Sequence, residues 1–344
     1  MSWLNFEENG ITEKCLKTPA SSSSSSSSSY ILDHVQRDSY HLLDIEIDEH
    51  AVKACKTGLC YQDTTELALL KYHELPDFMK GNPYVVQGYR TMLPFSMCLR
   101  SLLLWTNETV NIWSHFLGFY IFLLIALYDN LVVLPQIEGS FSDHIILTLG
   151  LACYMFCMLC SAGFHTFCCH SEKASRRWLA VDMTGVSMGI IGCYLPSVHY
   201  AFYCQSMWRN IYLLIITVLS VCALVFQLHP RFFTHGWFYI RVAIYVALSA
   251  YGVVPTIHWV YLSGGISTTI VQMFLPKVIM MYLLGALAFS FYISKLPERA
   301  CPGKFDYIGS SHQLWHFLIV LAFCYWHQAG EEILRHRISN KCIE

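Results

Sequence analysis

The sequence predicts an all-α fold, a bundle of seven transmembrane helices, and three observations predict it. Only 13% of the 344 residues are charged while 55% are hydrophobic, and soluble domains carry roughly 25% charged residues. A chain so poor in charge cannot cover a water-facing surface with polar groups, so its apolar surface faces lipid. Long apolar runs follow one another, each near the ~20 residues that a bilayer needs: Val110–Val133, His144–Phe167, Trp178–Ala201, Ile211–Gln227, Tyr239–Leu262, Pro276–Ser294 and Gln313–Leu334. A buried soluble helix explains any one of these runs but not seven in succession. Third, Lys and Arg alternate between successive loops. The formal net charge of −2 leaves no basic field for nucleic acid, so the lipid bilayer is the partner and no nucleic acid is expected.

Residues 1–70 stand apart from the rest. They hold a pure serine tract, Ser21 to Ser29, and an acidic stretch from Asp33 to Glu66. Low-complexity serine cannot bury enough apolar area to offset chain entropy, so this cytoplasmic region is predicted to be disordered. The start, Met1-Ser-Trp-Leu-Asn-Phe-Glu-Glu, lacks the basic and apolar regions of a signal peptide, so insertion is expected to begin at the first span. Residues 71–108 form a juxtamembrane segment. Its stretch from Tyr84 to Trp105 mixes aromatics, Leu and Arg and suits a short amphipathic helix lying at the membrane surface. Residues 109–335 make the seven-helix domain and 336–344 a short tail. Pro255, within Val253-Val254-Pro255-Thr256, is expected to kink the fifth span and to open a cavity.

Orientation follows from the short loops. Arg90 and Arg100 precede the first span, and the loop from Tyr128 to Asp143 has no Lys or Arg. Lys173, Arg176 and Arg177 fill the second loop. Arg231 and Arg241 lie in the fourth, and Lys295, Arg299 and Lys304 in the sixth. The N-terminus is therefore expected in the cytoplasm and the C-terminus outside or in a lumen. Arg335, Arg337 and Lys341 depart from that rule. The orientation is the reverse of a G-protein-coupled receptor, and that family's Asp-Arg-Tyr and Asn-Pro-x-x-Tyr signatures are missing. The sequon Asn107-Glu108-Thr109 then lies on the cytoplasmic side and should stay unglycosylated. Glu331 and Glu332 should mark the solvated outer end of the last span.

Most of the 15 cysteines sit in apolar runs and read as small buried hydrophobes. Cys157 and Cys160 have CxxC spacing but no second pair, which makes a weak metal motif. Cys168 and Cys169 end a span near basic residues, a place where palmitoylation occurs.

Ionisable groups inside a span are costly, so each is a functional candidate. One set falls at a single depth, within about two turns of the cytoplasmic face: Glu108, Asn111 and His115 from span one, Ser161 and His165 from span two, Asp182 from span three, His312 and His316 from span seven. His312 and His316 are four residues apart, so both imidazoles leave one helix face and can share an ion. Asp182 shares a face with Gly185 and Gly189, a small-residue pattern that favours close helix packing, so it should point into the bundle. Three neutral imidazoles and a water make a catalytic type of zinc set. His165, His312 and His316 can supply the nitrogens of a Zn²⁺ site, with Asp182 holding the water as general base and Ser161 as a hydrogen-bond donor to an oxyanion. The bland reading is histidines snorkelling at helix ends. Moreover, His144, His199, His258 and His327 collect near the opposite face, which leaves an outer site open. The segment His312-Gln313-Leu314-Trp315-His316 lacks the Glu of HExxH proteases, which excludes that mechanism. Glu108, Asn111 and His115 read either as a helix-start network or as support for the metal ligands.

Several stretches resemble the progestin and adipoQ receptor family: Asn82-Pro83-Tyr84, Gly88-Tyr89-Arg90, Asn107-Glu108-Thr109-Val110-Asn111-Ile112-Trp113-Ser114-His115, Ser161-x-x-x-His165, Asp182 and Ser311-His312-x-x-x-His316. The likeness runs from about Tyr72 to Trp326. It implies an adiponectin-receptor-like bundle with a cytosolic N-terminus, and Zn²⁺ on His165, His312 and His316, with Asp182 holding the bound water and Ser161 beside it. Adiponectin-receptor relatives are linked to ceramidase-like hydrolysis of lipid amides, which implies a sphingolipid or fatty acid in the bundle. Another branch resembles this chain more closely, in Gly252-Val253-Val254-Pro255-Thr256 and Ile293-Ser294-Lys295-Leu296-Pro297-Glu298-Arg299. It is linked to the Golgi membrane, where its cytosolic region tethers Raf kinase and dampens MEK–ERK (MAPK) signalling. The stretch here that matches such a role is about Tyr72 to Arg100.

Overall fold

The computed structural model describes residues 68–227, 229, 232, 235–340 and 342. The serine tract and the acidic stretch expected to be disordered lie outside the described residues. Among the described residues every regular element is helical, and the one strand-like feature is an isolated bridge between Leu70 and Tyr89. A short α1 (Phe95–Arg100) is followed by α2 (Thr109–Gln136), α3 (Phe141–Phe167), α4 (Glu172–Ala201), α5 (Ser206–Gln227), α6 (Phe238–Leu262), α7 (Thr269–Ser294) and α8 (Ser311–Ser339). Each expected span lies inside one of α2 to α8. Among the described residues, the six helices α2 to α7 are long and apolar enough to cross a membrane by length and composition. The seventh, α8, is diluted by Glu331, Glu332, Arg335, His336 and Arg337 in its last turns.

Close packing places α3 at the centre. Added to Gly185 of α4, a Cβ would stand 2.7 Å from the Cβ of Cys160; at Gly192 it would stand 2.8 Å from that of Cys153. Only glycine lets the two helices approach so closely, as the small-residue spacing implied. Cys157 and Cys160 are thus packing residues. Tyr154 and Met158 of α3 pack against Phe122 of α2 and Phe323 of α8, with the Tyr154 and Phe323 rings stacked at 4.2 Å. On α5 the exposed residues Leu214, Val218, Val221 and Val225 recur at helical spacing, an apolar stripe suited to lipid.

Two helices depart from regularity. α2 passes through a π turn at Asp129–Val133, and α6 breaks at Tyr251–Gly252. Pro255 explains the second break, because it has no N–H to return to the carbonyl of Tyr251. It is buried and lines a cavity, as expected.

The juxtamembrane segment holds a short helix, α1, after irregular backbone. Leu70 and Tyr89 exchange backbone hydrogen bonds at 2.7 and 3.1 Å, and Gly88 adopts φ +89° against the ring of Tyr307. Pro94 then starts α1. Helix is therefore confined to α1 and a 3-10 turn at Ser101–Leu103, because the preceding backbone is committed to tertiary contacts. Phe95, Leu99, Leu103 and Trp105 are exposed and keep the interfacial character of the stretch. Buried Arg90 donates to the carbonyls of His165 and Thr166 and to Ser101 Oγ. Buried Glu298 accepts hydrogen bonds from Asn82 Nδ2 and from the backbone N–H and hydroxyl of Ser311. Asp306 accepts from the Val86 N–H at 2.8 Å. The segment is thus fastened to the ends of α3 and α8.

Palmitoylation at Cys168 and Cys169 does not fit this arrangement. Cys169 is buried with Leu93, Cys98 and Phe167, its Sγ 3.8 Å from that of Cys98. Cys168 lies beside Arg90, and burial pushes its thiol pKa up. At the opposite end, the outer acids are not simply solvated. Glu332 pairs with Lys277 at 2.9 Å and Glu331 with Arg335 at 2.6 Å. Arg337 donates to the carbonyls of Tyr200 and Ala201, where α4 ends. A disulfide joins Cys204, between α4 and α5, to Cys342 after α8.

Candidate metal centre

The last turn of α3 and the first turns of α8 bring three imidazoles together. His312 Nε2 lies 3.2 Å from His165 Nε2 and 3.2 Å from His316 Nε2. Two ligand atoms about 2.0 Å from a tetrahedral ion stand roughly 3.3 Å apart, so the spacing suits one ion. Position on α8 is set by Glu298, which takes up the N–H and hydroxyl of Ser311 beside His312.

The hydrogen bonds on the far side of two rings decide what faces the centre. His316 Nδ1 lies 3.1 Å from the backbone oxygen of Asn111 and 3.2 Å from Ser114 Oγ. A carbonyl can only accept, so Nδ1 carries the hydrogen and Nε2 turns a lone pair inward. His165 Nδ1 lies 2.8 Å from Glu108 Oε2 and donates to it in the same way. Two inward lone pairs then meet at His312, whose single Nε2 hydrogen can satisfy one of them at most. A cation satisfies all three.

Asp182 and Ser161 line the same end of a largely apolar cavity of about 680 Å³, together with His115, His312 and His316. Ser161 lies beside the Asp182 carboxylate. His115 stacks on His316 at 3.8 Å and 10°. Asn111 acts twice, through its side-chain amide to Glu108 at 2.7 Å and its backbone oxygen to His316. The structure thus brings His165, His312 and His316 together with Glu108, Asn111, His115, Asp182 and Ser161 around them.

Sequence reasoning missed Ser114 and the buried Arg90. Ser114 follows Asn111 by three residues, so the helical stripe could have exposed it. Arg90 gave no periodic signal, because it acts from irregular backbone. Of the outer histidines, His144 bonds Asn130 and His258 bonds Tyr212, each through Nδ1. Only His327 meets a carboxylate, that of Asp129. Asn107 of the sequon is buried.

A family model described as haemolysin-III related matches residues 103–327. The chain is 49% identical over 279 residues to human Progestin and adipoQ receptor family member 3, covering 80% of this chain and 89% of that protein. The mouse protein of the same name matches to the same extent. Identity is 31% over 303 residues to Progestin and adipoQ receptor-like protein 1 of Caenorhabditis elegans, covering 87% of this chain and 69% of the relative. It is also 31% over 273 residues to the Adiponectin receptor protein of Drosophila melanogaster, covering 79% and 61%.

Proposed function

Because the chain belongs to the haemolysin-III related family, and in it to the progestin and adipoQ receptors, we propose that it is a zinc-bearing receptor-scaffold of the Golgi membrane. Its cytosolic juxtamembrane segment captures Raf kinase and so restrains MEK–ERK signalling. His165, His312 and His316 hold the Zn²⁺, and Glu108 and Asn111 keep two of the imidazoles in the ligating tautomer. One observation carries the metal: the lone pairs of His165 and His316 are aimed at the nitrogen of His312. The resemblance carries the kinase. Support for a link between them comes from Arg90 and Glu298, which fix residues 82–101 to the two ligand-bearing helices. Gln87 on that stretch, and Lys71 and His73 shortly before it, are exposed.

Orientation with the N-terminus in the cytosol is supported by the loop charges and by the disulfide. Cys204–Cys342 belongs in an oxidising compartment. Of the basic residues that broke the charge rule, Arg335 is engaged by Glu331 and Arg337 by helix-terminal carbonyls, and Lys341 lies outside the described residues.

A second reading, a lipid amidohydrolase of the ceramidase type, is favoured by the acid on the cavity wall. A bound Zn²⁺ would supply Lewis-acid polarisation of a carbonyl and a lowered pKa for water. Asp182, beside Ser161, is placed to accept a proton, and the apolar cavity suits an acyl chain. One experiment separates the readings. Purified full-length protein is assayed for zinc content, Raf capture on Golgi-like vesicles and ceramide hydrolysis. Under the scaffold reading, charge reversal at the exposed Lys71, with His73→Glu and Gln87→Glu, removes kinase capture at unchanged zinc content, and Asp182→Asn leaves capture intact. Hydrolysis that is present and lost in Asp182→Asn establishes the enzyme. Undisturbed capture in the triple variant ends the scaffold proposal.

A further inference from the structure

At the end of the bundle opposite the three imidazoles, α2 and α8 bring a second set of ligating groups together. Asp129 continues the buried stripe of Phe122 and Ala126 on α2 and opens its π turn. Asp129 is 2% exposed and faces His327, 7% exposed, on α8. Asp129 Oδ2 lies 2.8 Å from His327 Nε2, yet the two atoms are not aligned as a hydrogen bond, and both remain buried without any other partner. One helical turn further along α8, a carboxylate oxygen of Glu331 comes within 4.8 Å of both. Arg335 engages Glu331 Oε1.

A buried carboxylate oxygen and an imidazole nitrogen, each without a hydrogen-bond partner, carry a desolvation cost that a misaligned contact does not offset. A divalent cation between them removes it, since both atoms then serve as ligands. From this geometry we propose that Asp129, His327 and Glu331 form a second metal site, distinct from the three-histidine centre. Two carboxylates and one imidazole are a harder, more oxygen-rich set than three imidazoles. The site therefore takes Zn²⁺ or Mn²⁺ and tolerates Mn²⁺ better than the three-histidine centre does. His327 lies on the helix that also carries His312 and His316, so one helix bears ligands for both ions.

The test is metal titration of the full-length protein in nanodiscs, after chelator stripping, with Zn²⁺ and with Mn²⁺ as probes. Asp129→Asn keeps volume and polarity and His327→Gln comes near to both; size-exclusion profile and the melting curve of the stripped protein report folding. Expected are two Zn²⁺ equivalents per wild-type chain and one in either variant. A His312→Ala protein should keep one equivalent, which Mn²⁺ also fills. Overturning results are wild-type stoichiometry in both folded variants, or a His312→Ala protein that binds no ion. If both variants misfold, the His312→Ala protein alone decides between the outcomes.

Discussion

The two ends of the bundle solve the problem of buried polarity differently. At the inner end, two of the three imidazoles are held from behind, His165 by Glu108 and His316 by Asn111 and Ser114, and Glu298 fixes the start of α8. The rings are held from behind, so their lone pairs are left pointing at one place. At the outer end, Asp129 Oδ2 and His327 Nε2 meet face to face, and neither has a hydrogen-bond partner. The first arrangement is preorganised for an ion, and removing a ligand should cost affinity without disturbing the fold. In the second, the pair is itself part of the packing between α2 and α8.

The largest effect expected is therefore at His312. His312→Ala removes the ring shared by both 3.2 Å contacts and should abolish inner-site binding. The measurement is the melting temperature with and without chelator. A ligand at 1,000 times its dissociation constant contributes about 4 kcal/mol to stability, so chelation should lower the wild-type melting point clearly and leave most of that shift absent in the variant. Equal chelator shifts in the two proteins would place the stabilising ion elsewhere. Glu108→Gln is a smaller change, because it keeps a hydrogen-bond acceptor behind His165 but removes the charge. Loss of such an outer partner typically weakens metal affinity 10- to 100-fold; competition against a zinc dye reads it. An unchanged affinity would make Glu108 a mere helix-start residue.

Much of the inner site was legible in the sequence, because helical periodicity carries it. The four-residue spacings of His312 with His316 and of Ser161 with His165 mapped directly onto shared faces, and apolar run length put them at one depth. The glycine spacing on α4 foretold the contact with α3. What was not legible depends on irregular backbone or on contacts between remote helices. Arg90 braces His165 from a segment without periodicity. Asp129 shares the face of Phe122 and Ala126, but no spacing in the sequence names His327, on a remote helix, as its neighbour. The stretch from Tyr84 to Trp105 reads as holding a short amphipathic helix, but composition does not say where it starts, because it does not register that Gly88 needs positive φ and that Leu70 claims the backbone of Tyr89.

The smallest energetic effect concerns the disulfide, and it bears most directly on which end is which. Cys204–Cys342 ties a tail that Arg337 already holds at the end of α4, so Cys204→Ser should leave the metal content unchanged and lower the melting point only slightly. The compartment it reports is the point. In sealed Golgi-derived vesicles, a membrane-impermeant maleimide should not label Cys204 or Cys342 even after a permeant reductant is added, and should label both once the membrane is opened. An N-terminal epitope on the same vesicles should be cleaved by external protease. Labelling of the two cysteines from outside the sealed vesicle would invert the bundle. The three-histidine centre and the exposed juxtamembrane segment would then face the lumen, where a cytosolic kinase cannot reach them.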